Sequence, residues 1–178
     1  MTIDDYLKKH IPHRINLLIT FRERYSGFDL ETRQKAGELA RDFLRCTKDI
    51  SMMMVRFLLG ELGVRLQQNH NVISEQKNAL YTEKLKVADV ISNNHYQSIL
   101  AVLKAANRSI AHLDVIDVNH SMQTDPDDIV LINAINFTEQ VCIKKMYEVN
   151  NIFNYQDIMN LPDNNMHRDR LKITDLIN

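Results

Sequence analysis

The stretch AGELARDFLRCTKDISMMMVRFLLGELGV, residues 36–64, decides the fold. Every seventh residue in it is apolar: Ala36, Phe43, Ile50, Phe57 and Val64. Leu39, Cys46 and Met53 interleave at the spacing that completes one face of a helix. Between Ile50 and Leu59 the apolar surface widens to include Met52, Met53, Met54, Val55, Leu58 and Leu59. A helix apolar on all sides is surrounded by protein. The pattern therefore predicts one long helix from Asp29 to Leu66, at the centre of a bundle or between two subunits. Asp29 reads as its N-cap, with Glu31 in the favourable first turn. Gly60 and Gly63 mark its end or a kink. The apolar run is too short to span a bilayer, and Arg56 interrupts it. Asp42, Arg45, Asp49 and Arg56 form a polar seam along this helix. It reads as an ion-paired strip beside the core, because a buried unpaired charge is expensive. A ligand or partner site on that strip is the sharper alternative.

Working outward, 178 residues suffice for one domain with its own core. The expectation is a single helical domain over residues 1–160 and a C-terminal tail over 161–178. Only four Gly and three Pro leave few turn signals, which favours helices. The expected fold is all-α: an up-and-down bundle of about five main helices around one long central helix. A net charge of −1 provides no global basic field for nucleic acid. Cys46 and Cys142 both fall in apolar helical patterns and read as packed free thiols rather than a disulfide or a metal pair. Met-Thr-Ile-Asp-Asp lacks the basic and apolar regions of a signal peptide, so a cytoplasmic location is the default.

Before the central helix, Thr2 and Asp5 have capping-box-like spacing for a short helix over residues 2–10. Pro12 suits the first turn of a second helix reaching Tyr25, with Leu18, Phe21 and Tyr25 inside. His10 and His13 read as surface histidines at that junction, since no other ligand completes a metal site. After the central helix, Gln67–Ile73 reads as a loop, and Ser74 caps a short helix. Lys84–Ile91 is weakly amphipathic. Ser92 then caps a helix to about Leu113, striped by Tyr96, Ile99, Leu100, Leu103, Ala106, Ile110 and Leu113. Its back face holds Ala101, Ala105, Arg108 and His112, with the small residues leaving room for another backbone or subunit. Asp114–Asn119 reads as an extended connection. Asp125-Pro126-Asp127-Asp128 is the clearest helix start, for a helix to about Asn150. Tyr155–Asn160 adds a turn, and residues 167–178 form a charged tail.

The segment Ala105-Ala106-Asn107-Arg108-Ser109-Ile110-Ala111-His112-Leu113-Asp114 carries the candidate chemistry. A polar residue, an Arg and a His near a helix end are able to cleave RNA without a metal. The His moves the 2′-hydroxyl proton and the Arg balances charge on the phosphorane. This stretch resembles the signature region of HEPN domains, small helical bundles of toxin–antitoxin and phage-defence ribonucleases, and the resemblance covers roughly residues 92–150 plus the general all-helical plan. The Ala-His-Leu-Asp piece is similar to the abortive-infection members. In the family four to six residues separate Arg from His; here Ser109, Ile110 and Ala111 do. The resemblance implies catalytic Arg108 and His112 with Asn107 alongside, RNA as substrate, no cofactor and no metal. It also implies a homodimer that pairs two copies of this face. The bland alternative is that Arg108 and His112 are an i, i+4 pair packed on a neighbour. The protein is then a non-catalytic helical dimer that acts as a protein-interaction module. His112, Asp114, Asp117 and His120 match no standard metal-ligand spacing. Eight Met, three of them consecutive, read as core filling.

Overall fold

Thr2 caps the first helix: its Oγ1 accepts the Asp5 N–H at 3.1 Å and donates to the Asp5 carboxylate at 2.8 Å. From there α1 (Ile3–Asp5), a wide π turn π1 (Tyr6–His10) and α2 (Ile11–Tyr25) follow one another without a break. The expected break at Pro12 does not occur, and the π turn is the reason. Proline in a helix clashes with the carbonyl four residues back and cannot donate. Widening the turn relieves the clash, and the Ile11 N–H reaches back five residues to the Tyr6 carbonyl. The next bond of that register would run from residue 12 to Leu7, and Pro12 has no N–H. The Leu7 carbonyl instead accepts the buried Tyr147 hydroxyl at 2.9 Å, from 140 residues away.

This computed structural model describes residues 2–25, 37–67, 72–75, 84–111 and 126–151. The central helix α3 (Glu38–Glu61) follows Gly37. The N-cap expected at Asp29 lies outside the described residues. The helix continues through Gly60 and stops at Gly63, whose φ of 86° is the left-handed turn that suits glycine. A strand begins at Val64, directly after Gly63, so the helix expected to reach Leu66 ends at Glu61. β1 (Val64–Gln67) pairs antiparallel with β2 (Val72–Glu75), Val64 opposite Glu75 and Gln67 opposite Val72. The expectation of helices alone is corrected by this hairpin, and Ser74 lies in a strand rather than capping a helix. The chain is mainly helical with one small two-stranded sheet.

Beyond the hairpin come α4 (Val87–Ile91), α5 (Tyr96–Ala111), α6 (Asp128–Cys142) and a second wide turn, π2 (Ile143–Glu148). The Asn93 side chain, rather than Ser92, caps the turn into α5 by accepting the His95 N–H at 2.8 Å. Helix α3 packs on α2, α5 and α6, and α5 packs on α6. Val64, Ile73 and Leu85 bring the hairpin and its neighbour into the same core. Asn151, at φ 58°, closes the π2 end. No helix among the described residues is long and apolar enough to cross a membrane.

The face of α3 that faces the core is not the heptad read from sequence. Ser51, Met52, Val55, Leu58, Leu59 and Leu62 are at most 1% exposed, and Thr47 is buried beside them. Ile50 and Met53 are 37% and 43% exposed, and Cys46 is exposed. Among the described residues the buried arc of the helix thus lies away from Ile50 and Met53, and Cys46 is exposed rather than a packed thiol. Cys142 is buried; burial pushes its thiol up, and the charge of Glu139 adds to the shift. Titration of the native protein with a thiol reagent is expected to modify Cys46 quickly and Cys142 only after denaturation. Two fast thiols would contradict this packing.

Candidate functional site

Helix α5 carries the residues singled out in the sequence. Its buried positions are Ile99, Val102, Leu103, Ala105 and Ala106. That face is turned by roughly 60° from the expected stripe, at about 100° per residue. Val102 and Ala105 move inside, while Leu100 is only partly covered. Ala105 therefore belongs to the core and not to an open back face, which corrects its expected role at a subunit contact. The outward row holds exposed Gln97 and half-buried Ala101 and Lys104, and in helical register it continues to position 108.

Asn107 is half-buried one residue before that position. Arg108 belongs to the helical backbone of α5, and its side chain is outside the description. His112, Asp114, Asp117 and His120 lie outside the described residues, as do Tyr155–Asn160 and residues 161–178. Asn107 and Arg108 thus share the last turns of one helix, and the meeting of the expected trio is not among the described geometry. His10 and His13 are both exposed. Among the described residues no group of three or more His, Cys, Asp or Glu is placed to hold a metal ion.

Three polar clusters join helices that are distant in sequence, and periodicity alone did not point to them. The Tyr6 hydroxyl donates to Glu61 at 3.0 Å and accepts from Arg14 at 3.2 Å. The Arg14 guanidinium also stacks 4.4 Å from the Phe57 ring centre, which ties α2 and π1 to the end of α3. The second cluster ties α2 to α6. Arg22 donates to Asn136 at 2.6 Å and to Glu139 at 2.7 Å, with Glu23 beside it. Burial works against the Arg22 charge, but Glu139 and Glu23 outweigh it and hold the guanidinium above its usual range. The third is the Lys48–Asp128 ion pair at 3.2 Å, between α3 and α6. Each side chain has its partner on the neighbouring element, so these clusters brace the packing. Their signal was available as Arg and Glu on otherwise apolar faces, without any indication of which helix would answer.

The exposed side of α3 is the other feature of note. Cys46, Ile50 and Met53 form an outward apolar band, and half-buried Phe43 and Phe57 extend it at both ends. The expected polar seam flanks it, with Asp42 and Arg45 exposed and Asp49 and Arg56 half-buried. No family model matches this chain, and neither does any curated protein or solved structure with which it was compared.

Proposed function

We propose that this chain is a cytoplasmic up-and-down helical bundle that works by contact, as a homodimeric protein-interaction module without catalysis of its own. The supporting observation is the apolar band on α3, where Ile50 and Met53 are 37% and 43% exposed beside Cys46. Scattered apolar residues on a surface are ordinary, but a row of them along one helix marks a contact surface. Light scattering on the full chain is expected to give a dimer whose fraction grows with concentration. A monomer at every accessible concentration removes this reading.

A second reading is that α5 belongs to a HEPN-like endoribonuclease of a bacterial conflict or phage-defence system. It is favoured by Asn107 and Arg108 sharing the last turns of α5, with Arg108 in register with the outward row of Gln97, Ala101 and Lys104. In this reading His112 takes the 2′-hydroxyl proton, Arg108 offsets charge on the phosphorane, and Asn107 is the polar residue beside them. Cleavage of RNA in the presence of a chelator is its direct test. His112→Ala and Arg108→Ala are each expected to slow it by about 100-fold or more, the usual contribution of one acid–base or charge-stabilising group. A wild-type protein that leaves RNA intact rejects the nuclease and leaves the interaction module standing.

A further inference from the structure

We infer that π2 is a register device with two settings, one helical step apart, and that Tyr147 transmits its setting to the Leu7 carbonyl of π1. The device acts within one chain and requires no second copy.

A turn closed over five residues instead of four holds one residue more than an α-helix, so every side chain beyond it is set back by one step of about 100°. In π2 that step decides which residues face the core. Met146 and Tyr147 are fully buried, Lys145 is half-buried and Glu148 is exposed. Were residues 143–148 an α-helical continuation of α6, Lys145 would take the place of Met146 and Met146 that of Tyr147. Tyr147 would then take the outward place of Glu148. The same rule holds in π1, read backwards from α2. Leu7 is fully buried and Lys8 exposed, and α-helical bonding would put Lys8 in the place of Leu7. Each wide turn thus keeps a lysine out of the core, where its charge would be expensive.

The two turns differ in what holds them wide. Pro12 has no N–H and excludes ordinary α bonding around π1. Residues 143–148 contain no proline, so the backbone of π2 is free to close either way. Two side-chain effects favour its wide setting: the cost of turning Lys145 inward, and the Tyr147 hydroxyl bond to Leu7 at 2.9 Å. π2 is therefore the turn that moves, and π1 the turn that responds. In the α setting Tyr147 swings to the surface and the Leu7 carbonyl loses its donor. The minor setting of a two-state element is typically populated at roughly 0.1–10%.

Lys145→Leu in the full chain tests this, because leucine removes the main cost of the α setting and leaves Tyr147 and π1 intact. Nitration of Tyr147, read by peptide mass spectrometry, is expected to quicken by about 10-fold or more over wild type. Hydrogen exchange at the Ile11 amide, which donates to the Tyr6 carbonyl in π1, is expected to quicken by a similar factor. Deletion of Lys144 removes the extra residue. The shortened turn then closes as ordinary α-helix with Met146 and Tyr147 still inside, so this variant is expected to fold and to protect both groups as wild type does. In the combined variant, Lys145→Leu with Lys144 deleted, the new side chain stands where Lys144 stood, and protection of Tyr147 is expected to return. Plain damage to packing would not be repaired by removing a further residue. Tyr147 nitrated no faster in Lys145→Leu than in wild type overturns the two settings. A deletion variant that unfolds, or a combined variant that leaves Tyr147 open, overturns the one-residue register. Fast nitration with an unchanged Ile11 amide overturns the link to π1.

Discussion

Tyr147→Ala is expected to lose about 3–5 kcal/mol of unfolding free energy, and Tyr147→Phe about 1–3 kcal/mol, in urea denaturation followed by circular dichroism. Tyr147 is fully buried, so the alanine variant loses the ring's burial and leaves a cavity. The phenylalanine variant keeps the ring and removes only the hydroxyl that donates to the Leu7 carbonyl at 2.9 Å. That carbonyl belongs to the π turn, where the bond from residue 12 is absent because Pro12 has no N–H. A buried acceptor without a donor costs more than an average hydrogen bond contributes. The same reasoning makes the two positions interact. Pro12→Ala restores an N–H and allows the first turns to return to ordinary α-helical bonding. The cost of Tyr147→Phe is then expected to shrink when measured in the Pro12→Ala background. Equal costs in both backgrounds would mean that the Leu7 carbonyl is satisfied in some other way.

Helices were legible in this sequence where one face is apolar and the other clearly polar. The Thr2 cap has a local cause, and α6 was placed by its acidic start, although Asp127 is the N-cap and Pro126 precedes the helix, two residues later than the expected cap at Asp125. The hairpin was not legible, because Val64-Arg65-Leu66-Gln67 continues the helical count and four alternating residues carry little signal. Gly63 was the one local cue: it ends the helix with a left-handed turn, where Gly60 is carried inside it. Pro12 was read as a helix start, since the π turn that admits it depends on Tyr147, far along the chain. On α5, Asn107 and Arg108 were singled out by motif alone, and Ala105 was misplaced because alanine is small enough for either face. The cross-links of Arg14, Arg22 and Lys48 depend on which helices meet, which no local pattern records.

Leu58→Ala and Leu59→Ala are each expected to cost about 2–5 kcal/mol, while Ile50→Ala and Met53→Ala change monomer stability by no more than about 0.5 kcal/mol. All four residues are apolar and within ten positions of one another on α3, so composition gives no reason for the contrast. The reason is the arc each one occupies. Leu58 and Leu59 are fully buried, whereas Ile50 and Met53 are 37% and 43% exposed. Hydroxyl groups moved the buried arc away from the heptad. Thr47 is buried with its hydroxyl donating to the Leu44 carbonyl at 2.8 Å. Ser51 is buried because it completes α2: it accepts the Phe21 N–H at 3.2 Å and donates to the Leu17 carbonyl at 3.3 Å. A count that treats serine and threonine as polar turns the helix the wrong way, because a satisfied hydroxyl is tolerated inside and its small volume lets two helices approach. Chemical denaturation of the four variants, at concentrations low enough to keep the chain monomeric, measures this orientation directly. Comparable losses at Ile50 and Leu58 would show that α3 is enclosed on both sides, as the bare heptad suggests.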